Sequence, residues 1–153
     1  TVSNGVIIDA FTSASVKNYY GPAASIEEIS DMTMNGIVVV STVNPDGSPN
    51  AAVVIPGLFE NKYLTFGLAP NQTLENFKRG SLVVVSVFLP KPGVESTKYG
   101  DIRKYGARIY CEVLQDASEK AAVIERYNVD KPDNRKMTMD SILLVIKKID
   151  PIG

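Results

Sequence analysis

The chain has 153 residues, 44% of them hydrophobic and 22% charged, which is the length and apolar content of one ordinary domain. Its 16 basic and 17 acidic side chains leave a formal net charge of −1, so neither nucleic acid nor an anionic membrane is an expected partner. Histidine is absent, which removes Ser-His-Asp and Cys-His chemistry, the usual zinc sites and histidine-ligated haem.

The single cysteine, Cys111, has no partner for an intramolecular disulfide, and the first basic residue is Lys17, so no basic leader region opens the chain. A reducing cytoplasm is the expected setting. No apolar run approaches the roughly 20 residues needed to cross a bilayer. The expectation is one domain over residues 1–153, in which residues 1–24, with Val6-Ile7-Ile8 and the breaker Gly21-Pro22, form an N-terminal arm.

Ser25-Ile26-Glu27-Glu28 has the form of a capping box and predicts a helix start, with Ile26, Ile29 and Met32 on one face and Asn35-Gly36 as its exit. From Ile37 the period changes to that of a strand, β-branched through Val43 and bounded by the turn Asn44-Pro45-Asp46-Gly47. Asn50 to Leu58 reads as the return strand and Tyr63 to Gly67 as a third, with Glu60-Asn61-Lys62 between them. Connections this short require antiparallel neighbours.

Asn71 to Gly80 predicts a short helix capped by Thr73 or Asn71, with Leu74 and Phe77 facing inward. Ser81 to Leu89 is the fourth strand, and Pro90 to Gly100, rich in proline, glycine and polar residues, is a loop long enough to cover a site or cross a subunit interface. Strand five runs from Gly106 to Leu114, a helix from Ser118 places Ala122, Val123 and Tyr127 at helical spacing, and Ser141 to Ile149 is the last strand. Six antiparallel strands with short helical excursions favour a closed or nearly closed barrel, since closure removes exposed edges.

From Gly36 to Phe88 the order of these features resembles the pyridoxamine-phosphate-oxidase-like FMN-binding split β-barrels. The features that carry the likeness are Ser41-Thr42-Val43 with Asp46-Gly47-Ser48-Pro49 after it, and Thr73-Leu74-Glu75-Asn76-Phe77 before the strand Ser81 to Phe88. The resemblance implies a mainly β, six-stranded antiparallel split barrel that works as a homodimer, with FMN in a cleft between two subunits. It puts Ala52, Val53, Val54 and Ile55 along the isoalloxazine and ribityl chain, Phe66 and Gly67 on the neighbouring strand, and the phosphate near Asn71, Gln72 and Thr73. A helix start suits an anion, because its first N–H groups lack intrahelical partners.

Two departures from the family pattern stand out. Gln72 and Thr73 occupy the place where the family usually has Arg or Lys, which weakens phosphate binding by roughly 1–3 kcal/mol unless Lys78, Arg79, Arg103, Lys104 or Arg108 substitutes. Cys111 stands where Gly is common. The function implied is an oxidoreductase passing hydride or electrons through FMN to a small substrate. Its alternatives are the same barrel holding a deazaflavin, or a non-catalytic dimeric module without cofactor.

On the residues alone, Thr73 and Gln72 suit a plain helix cap, and alternation sends Val53 and Ile55 to one face and Val54 to the other. Cys111, with no histidine nearby in sequence to activate it, reads as an inert buried thiol. Tyr99, Tyr105 and Tyr110 fit packing as well as stacking on a ligand. No catalytic side chain and no metal ligand is assigned.

Overall fold

The computed structural model describes residues 24–90 and 104–151. The expected arm and the loop between the fourth and fifth strands lie almost wholly outside the described residues. Helix α1 (Ile26–Asn35) opens as its capping box predicts: the Glu28 carboxylate accepts from the Ser25 N–H at 2.7 Å, and the Ser25 hydroxyl accepts from the Glu28 N–H at 3.2 Å.

Seven strands follow rather than six: β1 (Ile37–Val43), β2 (Pro49–Val53), β3 (Gly57–Phe59), β4 (Tyr63–Phe66), β5 (Val83–Pro90), β6 (Lys104–Val113) and β7 (Ile142–Pro151). All pairs are antiparallel, in the order β2-β1-β5-β6-β7-β4-β3. The predicted return strand Asn50 to Leu58 is therefore two strands on opposite edges of one sheet. After the Val54 N–H donates to the Val38 carbonyl at 3.1 Å, Pro56 brings no N–H to extend the ladder, and the chain leaves one edge for the other.

That crossing decides the architecture. Val53 and Gly57 are four residues apart, a reach of at most about 14 Å for an extended chain. The edges of a flat seven-stranded sheet lie roughly 29 Å apart at the usual strand spacing. The sheet must curl until its edges approach, and the result is a split barrel. A β-bulge assists: Tyr110 pairs with Lys148 and Cys111 with Ile146, so Lys147 is an extra residue that bends β7.

The barrel interior is filled by alternate residues of the strands, among them Val38 and Val40 of β1, Val83, Val85 and Val87 of β5, and Ala107, Ile109 and Cys111 of β6. Ile29 of α1 and Phe77 of helix α2 (Gln72–Lys78) complete it, both with no exposed surface. On the outside, helix α3 (Ala117–Asn128), capped by the Asp116 carboxylate at the Glu119 N–H (2.7 Å), packs Val123 and Ile124 on Tyr63, Leu143 and Val145. The first half of β7 is thus buried on both faces, which is why Ile142 to Val145 is continuously apolar instead of alternating. Ala122, expected with Val123 and Tyr127, is exposed, because the packed stripe runs through Val123, Ile124 and Tyr127 and Ala122 lies off it.

Two glycines meet different steric needs. Gly47, at φ 85°, supplies the left-handed residue of the β1–β2 turn. At Gly106 the need is space: a Cβ there would lie 1.9 Å from the Val87 carbonyl oxygen and 2.9 Å from the Phe88 Cα, both of them backbone atoms in the adjacent β5. Gly106→Ala is expected to force β5 and β6 apart and lower stability by about 1–3 kcal/mol, as overpacking of a filled interior does. Urea unfolding checks this; a midpoint equal to that of the unsubstituted protein contradicts it.

Candidate functional site

The mouth of the barrel beside the β1–β2 turn is closed by α2, and a buried polar cluster joins them. The turn is shaped by its own side chains: the Asp46 carboxylate accepts from the Ser48 N–H (2.9 Å) and hydroxyl (2.6 Å), bonds that hold its pKa below the usual carboxylate value. The Asn44 amide group donates to the Ser48 hydroxyl oxygen at 3.1 Å. Its own oxygen faces the helix.

Asn76 is the centre of the cluster and has no exposed surface. Its Nδ2 donates to Thr42 Oγ1 and to Asn44 Oδ1, both at 2.9 Å. Its Oδ1 accepts from Gln72 Nε2 at 2.9 Å and Arg79 Nη2 at 3.2 Å. Both donors and both lone pairs of the carboxamide are thereby used, the condition under which a buried amide does not cost stability. Arg79 also donates to the Val43 carbonyl, and the Ser81 hydroxyl accepts from the Val43 N–H at 2.8 Å. Asn50 of β2 completes the link: its two N–H groups reach Thr42 Oγ1 (3.1 Å) and Thr73 Oγ1 (3.0 Å).

The residues expected to hold a cofactor fall into three places. Val53 and Ile55 are 76% and 83% exposed while Val54 is 8% exposed, so the alternation read from the sequence is found in the fold. Ala52 is half-buried beside them. Phe66 is buried with its ring 5.6 Å from that of Phe77, and Gly67 is exposed at the end of β4. At the start of α2 the cap is Asn71, whose side chain accepts from the Leu74 N–H at 2.9 Å; Thr73 is turned inward and only 2% exposed.

The Gln72 and Thr73 N–H groups have no acceptor among the described residues, since the cap engages Leu74 and Glu75. Two backbone donors and the Thr73 hydroxyl proton form a donor set suited to an anionic oxygen. No cation joins them among the described residues. Lys78 pairs with Glu75 at 3.2 Å and Arg79 is turned to the Val43 carbonyl, while Arg108 donates to the Pro151 carbonyl at 2.9 Å. The structure thus unites Thr73 with β2 through Asn50, and leaves Phe66 and Gly67 on the other side of α2.

Sequence reasoning did not single out Thr42, Asn44, Asn50 or Asn76 as site residues, and it named Arg79 only as a stand-in for the family's phosphate cation. The available signal was Asn76, which sits three residues after Thr73 and beside Phe77, on the face of α2 that carries the apolar residues. A polar residue at that spacing asks for buried partners. The second candidate region lies beyond α2: a groove of about 350 Å³ with Phe66, Gly67, Leu74 and Ile142 along it, and one of about 650 Å³ beside it that reaches Leu114 and Lys120. Lys78 and Asp140 border both.

Elsewhere the chemistry is quiet. Burial pushes the Cys111 thiol up to about 12, and its Sγ lies 3.6 Å from the Ile109 carbonyl oxygen. Tyr110 lies beneath the Lys148 ammonium, 5.3 Å from ring centre to nitrogen. Among the described residues no group of three or more Asp, Glu or Cys is placed to hold a metal ion, and no helix is long and apolar enough to cross a membrane.

No protein-family model matches the chain, and no curated protein matches it significantly. Solved structures do. An FMN-binding protein from Syntrophomonas wolfei subsp. wolfei superposes with a TM-score of 0.53 at 20% identity, over 84% of this chain and 86% of that one. A HupZ variant from Group A Streptococcus gives 0.51 at 16% identity over 82% and 97%, and an FAD and heme binding protein from Mycobacterium smegmatis 0.50 at 16% over 85% and 71%. The curled antiparallel sheet is therefore the split barrel found in flavin-binding proteins, and the resemblance read from the turn and the α2 segment holds at the level of fold.

Two expectations follow from this geometry. Asn76→Ala takes a donor from buried Thr42 and half-buried Asn44, and a loss of about 1–3 kcal/mol is expected in denaturant unfolding; a loss under about 0.5 kcal/mol contradicts the role given to the carboxamide. Cys111 remains a protonated thiol throughout the range from pH 6 to 9 because its pKa lies about 12. Ellman's reagent should therefore titrate it only in denaturant, and rapid labelling of the folded protein at pH 8 would refute its burial.

Proposed function

We propose that this chain is a homodimeric FMN-binding flavoprotein of the oxidoreductase class, acting on a small organic substrate. The observation that carries the reading is the outer wall of β2, β1 and β5, which no helix roofs among the described residues. In register across it stand Val53, Val39 and Ser86, then Ala51, Ser41 and Val84, with Ile37 opposite Phe88. Ile37, Val53, Ile55 and Leu82 are 54%, 76%, 83% and 77% exposed. Exposed apolar side chains gathered on one wall mark a surface for binding.

Asn50, bonded to Thr73, is on the inward face of β2 and Val53 on the outward one, and β2 is an edge strand, so the way from the wall to the start of α2 runs around that edge. A flat ring laid along Ala52 to Ile55 would have its phosphate end directed to the Gln72 and Thr73 donors. FMN supplies the hydride or electron chemistry when bound. The chain's share is to seat the ring against apolar side chains, to exclude water with a second copy on the same wall, and to hold the anionic end with backbone donors. The missing cation leaves room for a deazaflavin as the ligand instead.

A second reading, a dimeric module without cofactor, is favoured by Thr73 being 2% exposed with its oxygen already bonded to Asn50.

Titration with FMN, FAD and a deazaflavin, followed by flavin fluorescence quenching and by sedimentation, separates these readings. Saturable FMN binding is expected, weakened about tenfold or more by Thr73→Ala, the worth of one hydrogen bond to a charged group. Val53→Asp is expected to dissociate the dimer and abolish binding. Tenfold preference for the deazaflavin moves the chain to that ligand. A dimer whose melting temperature ignores all three ligands establishes the cofactor-free module and overturns the flavin reading.

A further inference from the structure

We propose that the paired grooves on the far side of α2 form a second ligand site, for a small organic anion with a flat or aliphatic apolar body. This goes beyond the flavin reading and uses none of the residues of β2. The floor is apolar: Phe66, Leu74 and Ile142 in the smaller groove, Phe77 and Leu114 in the larger. Their volumes, about 350 and 650 Å³, are those of small-molecule pockets.

The rim supplies polar groups, because each of its two hydroxyls keeps a proton to donate. Ser141 Oγ accepts from the Thr138 N–H at 3.0 Å, and Thr138 Oγ1 accepts from the Asp140 N–H at 3.3 Å. Each hydroxyl, its oxygen engaged by the backbone, is left with a proton to give. The turn that presents them is fixed by the Ser141 N–H donating to the Thr138 carbonyl at 3.0 Å.

Lys78 faces the same groove with one of its three N–H groups on Glu75. Lys120 borders the larger groove, anchored by a single bond to the Met139 carbonyl at 2.6 Å. The two hydroxyls and Lys78 border the smaller groove, Lys78 and Lys120 the larger, and Asp140 borders both and acts electrostatically on Lys120. A carboxylate or sulfonate matches the donors, and its apolar body matches the floor, which a bare polyol does not.

Anilinonaphthalene sulfonate is the probe, with its uncharged parent amine as the comparison. Location is read from amide chemical shifts of the full chain. The expected result is saturable one-to-one binding that shifts Gly67, Lys78, Thr138 and Ser141, weakened at least fivefold by Lys78→Glu and by the double change Thr138→Val with Ser141→Ala, and kept by Lys78→Arg. Lys78 is exposed and its substitution leaves the fold intact, while the Thr138 and Ser141 change is read only with an unchanged melting temperature, because those hydroxyls also bond their own turn.

Shifts confined to Val53, Ile55 and Leu82, equal affinity for the uncharged amine, or indifference to Lys78→Glu would each overturn the proposal. Failure of the flavin reading is separate: it is scored by FMN and Val53→Asp, and since only Phe66 and Gly67 of its residues also border these grooves, Lys78, Thr138 and Ser141 carry the distinction.

Discussion

The fold rests on one constraint of chain length. Three residues, Val54, Ile55 and Pro56, connect the two outermost strands of a seven-stranded sheet, and no flat sheet can satisfy so short a tether. Everything else accommodates the curvature it imposes. The extra residue in β7 bends the wall, Gly106 lets β5 and β6 approach, and α1 and α2 occupy space that the curl would otherwise leave open.

Curvature also explains where polar groups had to be buried. Where the β1–β2 turn meets α2, the strand ends carry carbonyl and N–H groups that have run out of ladder partners. Arg79 and Ser81 satisfy those of Val43, and Asn76 ties the helix to the turn through Thr42 and Asn44. An apolar seal would have left these backbone groups without partners, so a network of amides and hydroxyls takes its place. The same network fixes the position of Thr73 relative to β2, so the geometry of the helix start is inherited from the turn rather than set by the short helix itself.

Local signals made much of the fold legible. The Ser25–Glu28 box, the Asp46-Gly47 turn and the β-branched run of β1 each act within a few residues, and all are found where the sequence puts them. The break of the return strand is different in kind. Val53, Val54 and Ile55 have strand character throughout, and only the arrangement of distant strands determines that Pro56 separates two edges. Glu60 and Asn61, both at positive φ, did mark a turn, but not which neighbour β4 would pair with on its other side. The polar cluster was hidden for a similar reason: Asn44 and Asn50 read as turn residues, and Asn76 as one more polar position on a short helix. Their meaning depends on contacts across tens of residues of sequence.

The coverage of the barrel's outer surface is lopsided. One flank, around β4 and β7, is roofed by α3, with Leu143 and Val145 beneath it. The opposite flank, around β2 and β1, carries Val53 and Ile55 without a roof among the described residues. A two-fold axis through the uncovered patch would consume it on both copies at once, whereas the twelve-residue α3 takes the other flank out of reach by lying over Leu143 and Val145.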